Sequence, residues 1–564
     1  MRLRRGILSA AVVIVALALA ACAGLPTSGP VHAGLPADAD DGNPPDVAFL
    51  PDRPQPGATP EEIVEGFIRA GSGPGLTENW ERAREFLAPA IRDEWKPTKS
   101  VTVDVAGDRE ITSTAEGSVT LSLVAVATVD ENGAYQRADA GPTPLPFELA
   151  KQADGEWRIT QVRDGIVLDR EVFPSVFGSY SLMYFDPSWH YLVPDVRWFP
   201  KGNAATHIAV ALINQPRSEW LADSVTSAFP EGVQVVPTVP VDPSGVADVD
   251  LNQIALTASP DTRDRMLTQL EASLATAGVT DVQLFVGTTP IAAEPVVVRS
   301  TRVTGPSLVL TEDGLGFLQG DELEKIPGLS SVIKNVSPVS IQVTAERDMD
   351  ALRLTDGTVV RQTAEGASDL LDARPGLVDP TIDPFGIVWS VPRSAPSALK
   401  AYLTDGTAVD VAGAWPGAAQ ISAIAVSRDG ARIAAVVTTA GHTEVWIAGV
   451  VRSGSDGTPA RLGVPLALGI VPGAGAGLAW LDDTTVGVLA QDGDASQVVE
   501  QLVGGPTNIT SAPAGMASLA GASAVSAVRL RGGDGLLYVR RGTNWQQAAS
   551  GIIVLATQQG MPQG

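Results

Sequence analysis

The position with the most definite chemistry is the lone cysteine, Cys22, which directly follows Leu19-Ala20-Ala21. Upstream lie a basic head with Arg2, Arg4 and Arg5 and an apolar run from Ile7 to Ala21. A basic head, an apolar core and small residues before a cysteine form a signal peptide ending in a lipobox. The run is shorter than the roughly 18 residues of a membrane span, so cleavage before Cys22 is expected rather than a retained helix. A thiol is required there because its sulfur takes a diacylglyceryl group as a thioether. The amine freed by cleavage then takes a further acyl chain such as palmitate. Residues 1–21 are thus expected to be removed, leaving Cys22 lipid-anchored on the extracytoplasmic face of the cell membrane.

Other chemistry is sparse. With one cysteine in 564 residues no intramolecular disulfide forms, and lipidation leaves no free thiol for catalysis or metal binding. The four histidines, His32, His190, His207 and His442, are dispersed, and no His-x-x-x-His or His-Glu-x-x-His helix offers a zinc scaffold. No nucleophile elbow, phosphate loop or nucleotide fingerprint occurs. Acid pairs such as Asp482-Asp483 and Asp248 with Asp250 follow from the abundance of 64 acids. No catalytic residue, cofactor or metal site is therefore expected. The formal charge of −25 becomes −28 once the three leader arginines are lost. Such a body is repelled by nucleic acid and anionic headgroups, so its hold on the membrane rests on acyl chains.

The elements that would carry a binding surface follow in order. Residues 22–58 are rich in proline and glycine, with Asp38, Asp40, Asp41 and Asp46, and are expected to be a flexible tether; the acids lack the spacing of a calcium loop. At Thr59-Pro60-Glu61-Glu62 a capping box opens a helix whose apolar face is Ile63, Val64, Phe67 and Ile68, ended by Gly71. A second helical pattern carries Trp80, Ala83, Phe86 and Leu87. After Pro97 alternating segments around Val101–Val105, Val119–Val126 and Trp157–Val162 predict an antiparallel sheet. Residues 59–175 are thus an α+β domain resembling the cystatin-like folds of nuclear-transport-factor-2 type.

Between 180 and 292 the landmarks are Tyr184-Phe185-Asp186, a strand pair through Tyr191–Arg197, and a helix with Ile208, Ala211, Leu212 and Ile213. Then come Phe229-Pro230-Glu231-Gly232, Ala247–Leu251, a helix with Met266, Leu267, Leu270 and Leu274, and a strand from Val282 to Val286. Their order resembles the GerMN domain of spore-germination and envelope proteins. From 297 to 564 short strands alternate with Asp-Gly turns at 313–314, 356–357, 405–406, 429–430, 492–493 and 534–535. Leu354-Thr355-Asp356-Gly357-Thr358 and Leu403-Thr404-Asp405-Gly406-Thr407 are near copies, and a period of about 40–50 residues predicts a β-propeller. Five to seven blades fit, with six favoured; the alternative is a two-sheet sandwich. Ser427-Arg428-Asp429-Gly430-Ala431-Arg432-Ile433-Ala434 resembles the S-P-D-G-x-x-I-A turn of TolB-like blades, with arginine in place of proline. Trp389, Trp446, Trp480 and Trp545 are expected to pack between blades.

Together, Cys22-Ala23-Gly24-Leu25-Pro26, the Pro60-Glu61-Glu62-Ile63-Val64 opening, the GerMN-like segment and the propeller resemble the actinobacterial LpqB lipoprotein family. The resemblance implies an accessory protein that binds the extracytoplasmic domain of a sensor histidine kinase of the MtrAB two-component system and influences cell-wall homeostasis and division. The alternative is a receptor for cell-wall glycan or peptidoglycan, or an envelope assembly factor, acting through the propeller.

Overall fold

A computed structural model describes residues 51–562 apart from 76–77, 139–140, 454–456 and 523. The lipobox Leu19-Ala20-Ala21-Cys22 and most of the 22–58 segment lie outside the described residues. Its last part departs from a free tether: Pro51 and Ala58 are buried, the Gly57 N–H donates to Glu156, and Arg53 pairs with Glu85.

Thr59 starts the Pro60–Ala70 helix as expected. Its hydroxyl accepts from the Glu62 N–H while the Glu62 carboxylate accepts from the Thr59 N–H. Ile63, Val64, Phe67 and Ile68 turn onto the sheet. The second helical pattern yields only one turn, Glu81–Arg84. Trp80 adopts a positive φ of 51°, and Leu87 bridges in parallel to Ile159, so burial of Trp80, Phe86 and Leu87 in the sheet's core overrides the periodicity. Seven strands build the sheet, in the order 157–161, 142–151, 118–130, 100–104, 166–169, with 110–115 and 135–137 also on the long 118–130 strand. The sheet is not wholly antiparallel: Ile166–Asp169 runs parallel to Ser100–Asp104, because the chain crosses from one edge to the other before pairing.

The second domain opens with a hairpin, Phe177–Phe185 against Leu192–Pro200. Asp186 shapes its turn by accepting the Ser188, His190 and Tyr191 N–H groups. Helices Ala204–Asn214 and Pro260–Leu274 follow, the latter capped by Ser259, and Val246–Asp250 pairs in parallel with Asp281–Val286. Every landmark of the 180–292 segment is in the expected order.

Among the described residues from Ser307 to Gln558, six sheets of four or five strands succeed one another, with their innermost strands adjoining in a closed cycle. The ring closes with strands distant in sequence. Val554–Leu555 is the inner strand of the first sheet, antiparallel to Ser307–Thr311, and Thr557–Gln558 lies parallel to Pro338–Val343 of the second. All six Asp-Gly glycines have positive φ, the conformation for which the turns select glycine. The near copies, however, are out of phase. Asp356-Gly357 joins the second and third strands of its sheet, whereas Asp405-Gly406 joins the third and fourth of the next.

The three domains share buried surface. One apolar core runs from Leu182, Tyr184 and Leu270 of the second domain into Val436, Val445 and Val486 of the ring. Trp198 packs into the first domain's core and donates its indole N–H to Gly504 O in the fifth sheet. At Gly449 a Cβ would lie 2.3 Å from Ser224 Oγ and 2.9 Å from Trp220 O, so only glycine permits this approach.

Candidate functional site

Where the second domain meets the ring, charged side chains gather on the turns that link the first two strands of successive sheets. In the third sheet Asp383 accepts the Phe385 and Ile387 N–H groups, and in the fourth Asp429 accepts that of Ala431. In the fifth, Asp482 accepts those of Thr484 and Thr485. These aspartates occupy the equivalent turn of three consecutive sheets. Asp383 also takes a 2.7 Å bond from Arg452 of the next sheet, whose guanidinium lies over Phe385 and reaches Gly430 O. Asp429 holds the buried Arg432, which stacks 4.5 Å from the centre of the Trp480 ring.

Arg428, the residue in place of the expected proline, is a bridge between sheets. It donates to Trp480 O at 3.0 Å in the fifth sheet and to Ala522 O at 2.7 Å beyond the inner strand of the sixth. Burial pulls its guanidinium below the ordinary arginine value, with Asp483 and Asp482 opposing. From the second domain Tyr191 meets Phe385 edge to face, with Arg299 over its ring. Elsewhere in the ring Arg374 grips the buried Asp372, which also accepts from Ser390. Burial raises the Asp372 carboxyl, but these bonds outweigh it and hold the group below its ordinary value.

These charges pair with each other and with backbone carbonyls, and so brace neighbouring sheets against one another. Trp480 is buried and donates to Ala425 O, Trp389 is fully buried and donates to Asp383, while Trp446 and Trp545 are partly buried, so the tryptophans pack between blades. His207 is a domain contact, bonded to Glu78 of the first domain at 2.6 Å and stacked on Phe199; His190 faces Ser188 and His442 is exposed. Of the two acid pairs, Asp250 accepts the Gly287 N–H and Asp482 caps its own turn. Among the described residues no group of three or more His, Cys, Asp or Glu is placed to hold a metal.

One concavity was not legible in the sequence. A cleft of about 560 Å³ lies between the Pro60–Ala70 helix and the first domain's sheet, floored by Ile68, Leu121, Val167 and Leu168. Its mouth carries Glu65, Arg69, Arg109 and Asp169. Arg109 is clamped on buried Asp104 by two 2.7 Å bonds. Burial raises the Asp169 carboxyl, but the Ala106 and Glu171 amides with Arg109 and Arg170 hold it below its ordinary value. The floor residues come from a helix and two strands and lie up to a hundred residues apart in sequence, so only folding brings them together.

A closed ring of sheets preceded by two α+β domains, all sharing buried surface, defines a multidomain propeller protein. Family models match in the same order: the N-terminal domain of lipoprotein LpqB over residues 53–174, the sporulation and spore-germination domain over 181–291, and the LpqB β-propeller domain over 310–553. The chain belongs to the LpqB lipoprotein family. Lipoprotein LpqB of Streptomyces coelicolor is 26% identical over 597 residues, covering 94% of this chain and 95% of that protein. That of Thermobifida fusca is 32% identical over 260 residues, 43% of this chain but only 40% of the relative's length. Among solved structures, TolB from Acinetobacter baumannii aligns with a TM-score of 0.27 and 9% identity over 71% of this chain and 78% of that one. At that score the likeness adds nothing to the fold, which rests on strand order. No described helix is long and apolar enough to cross a membrane.

Proposed function

We propose that this protein is a lipid-anchored extracytoplasmic binding protein, held by Cys22, that engages the extracytoplasmic domain of an envelope sensor kinase of MtrAB type. Through that contact it sets phosphorylation of the response regulator, and with it cell-wall homeostasis and division. The observation that carries the reading is the use of the ring's buried charges as inter-sheet staples, with the second domain seated on them. Such a body offers fixed loops for contact rather than groups for turnover. Family membership supports a lipoprotein, and a tether raises the effective concentration near a membrane-bound partner so that a weak interface is occupied. The test is photocrosslinking in cells from exposed positions such as Leu370 and Val464 of the ring and Leu256 of the second domain. Specific capture of the kinase is expected; absence of any kinase adduct from all of them defeats the reading.

A further inference from the structure

The closing strand Thr557–Gln558 is one end of an unusual row. Gln558, Val343, Asp350 and Gln362 are successive register partners across four strands of the second sheet. Register partners project to one face, so Asp350 and Gln362 emerge side by side, with Gln558 beyond Val343. That face is apolar: Ile341, Val343, Leu352 and Val360 pack there with Phe317 and Val554 of the first sheet. Asp350 is 0% exposed and Gln362 1%. Among the described residues, neither carboxylate oxygen of Asp350 has a hydrogen-bond partner, nor has Gln362 Oε1, nor either amide atom of Gln558.

Of the charged residues nearby, Arg361, alternating to the opposite face, binds Asp369 and Leu403 O, Asp348 accepts from Thr344, and Arg347 lies over the Phe317 ring with its buried Nε unpartnered among the described residues. A carboxylate in this setting would be a buried charge with no counter-ion. The acid form has an O–H to give to the amide oxygen one strand away.

We propose that Asp350 is held as the neutral acid and donates its proton to Gln362 Oε1, so that the pairing of the Met349–Leu354 and Val359–Thr363 strands rests on a proton-dependent contact and is firmer in acid than in alkali. Burial pushes the Asp350 carboxyl up to about 8, with the neighbouring Gln362 backbone N–H acting in the opposite direction. An unfolded aspartate titrates near ~3.9. Between those values the folded state carries one more proton than the unfolded, so this group's contribution to stability falls as pH rises, about tenfold in equilibrium constant per pH unit, and levels off above about 8.

The experiment compares the full mature chain with Asp350→Asn, whose amide keeps the shape and a donor without titrating. Hydrogen-exchange protection of peptides covering 349–363 is followed from about pH 5.5 to about pH 9. The ratio of wild-type to variant protection is expected to fall at least about 100-fold up to about pH 8 and then stay level. A ratio that does not change with pH overturns the proposal. Infrared spectroscopy gives an independent reading: wild type is expected to show a protonated-carboxyl band near neutral pH that titrates away around pH 8. That band alone decides if Asp350→Asn does not fold. Its absence near neutral pH, or its loss on adding calcium, overturns the proposal, since the group would then be an ionised carboxylate.

Discussion

Arg428 holds three sheets together from one side chain. It leaves the inner turn of the fourth sheet and ends on carbonyls of Trp480 and Ala522. Hydrogen bonds from a charged donor are worth about 1.5–3 kcal/mol each, so Arg428→Ala should cost ~3 kcal/mol, read as a lower midpoint in chemical denaturation. An unchanged midpoint would show that the carbonyls find other donors. Asp383 is a second such point, because it receives Arg452, the Trp389 indole and two backbone amides. Asp383→Asn keeps the shape but leaves the buried Arg452 guanidinium without its counter-charge, and a loss of about 3–5 kcal/mol is expected by the same measurement. The sequence marked Arg428 as a departure from its motif, but its role was not legible. The acceptors lie 52 and 94 residues away, and nothing local to Ser427–Ala434 encodes them. Trp389 and Trp480 were legible, since large aromatics in short strands have nowhere else to go.

Among the elements, the Thr59 cap and the strand–helix order of the second domain were legible because they depend on neighbours within a turn or on strong periodicity. Thr59→Ala should cost about 1 kcal/mol in stability, measured in the same denaturation assay. The 80–87 segment was misleading because its apolar spacing suits a helix while Trp80 and Leu87 are drawn into different parts of the sheet core. The phase of the blades was misread for a related reason. Asp-Gly turns form wherever two strands meet tightly, so two similar turns need not be equivalent. Ring closure depends on Val554–Leu555, which supplies the first sheet's inner strand. Truncation after Gly551 should uncover Val309 and Leu310 and make the 307–343 region the first site of limited proteolysis. A truncated chain as resistant as the full one would contradict that role.

At the scale of the whole molecule, the second domain and the ring are joined where Gly449 and Gly463 let the Trp220 backbone approach. Gly449→Val should force them apart, giving separate unfolding transitions by calorimetry where wild type is expected to show coupled ones. Retention of coupled unfolding would show that the shared apolar core alone suffices. Such coupling matters because a tethered body presents a defined surface to a membrane partner only if its domains keep their places. The central claim combines tether and binding, and regulator phosphorylation in living cells tests it most directly. In a strain lacking this protein, wild type is expected to restore the native phosphorylation level. Cys22→Ser, produced in equal amount and folded but without its lipid, is expected to leave phosphorylation as it is in the deletion. Equal restoration by both forms, or no change in phosphorylation when the protein is removed, would contradict the account.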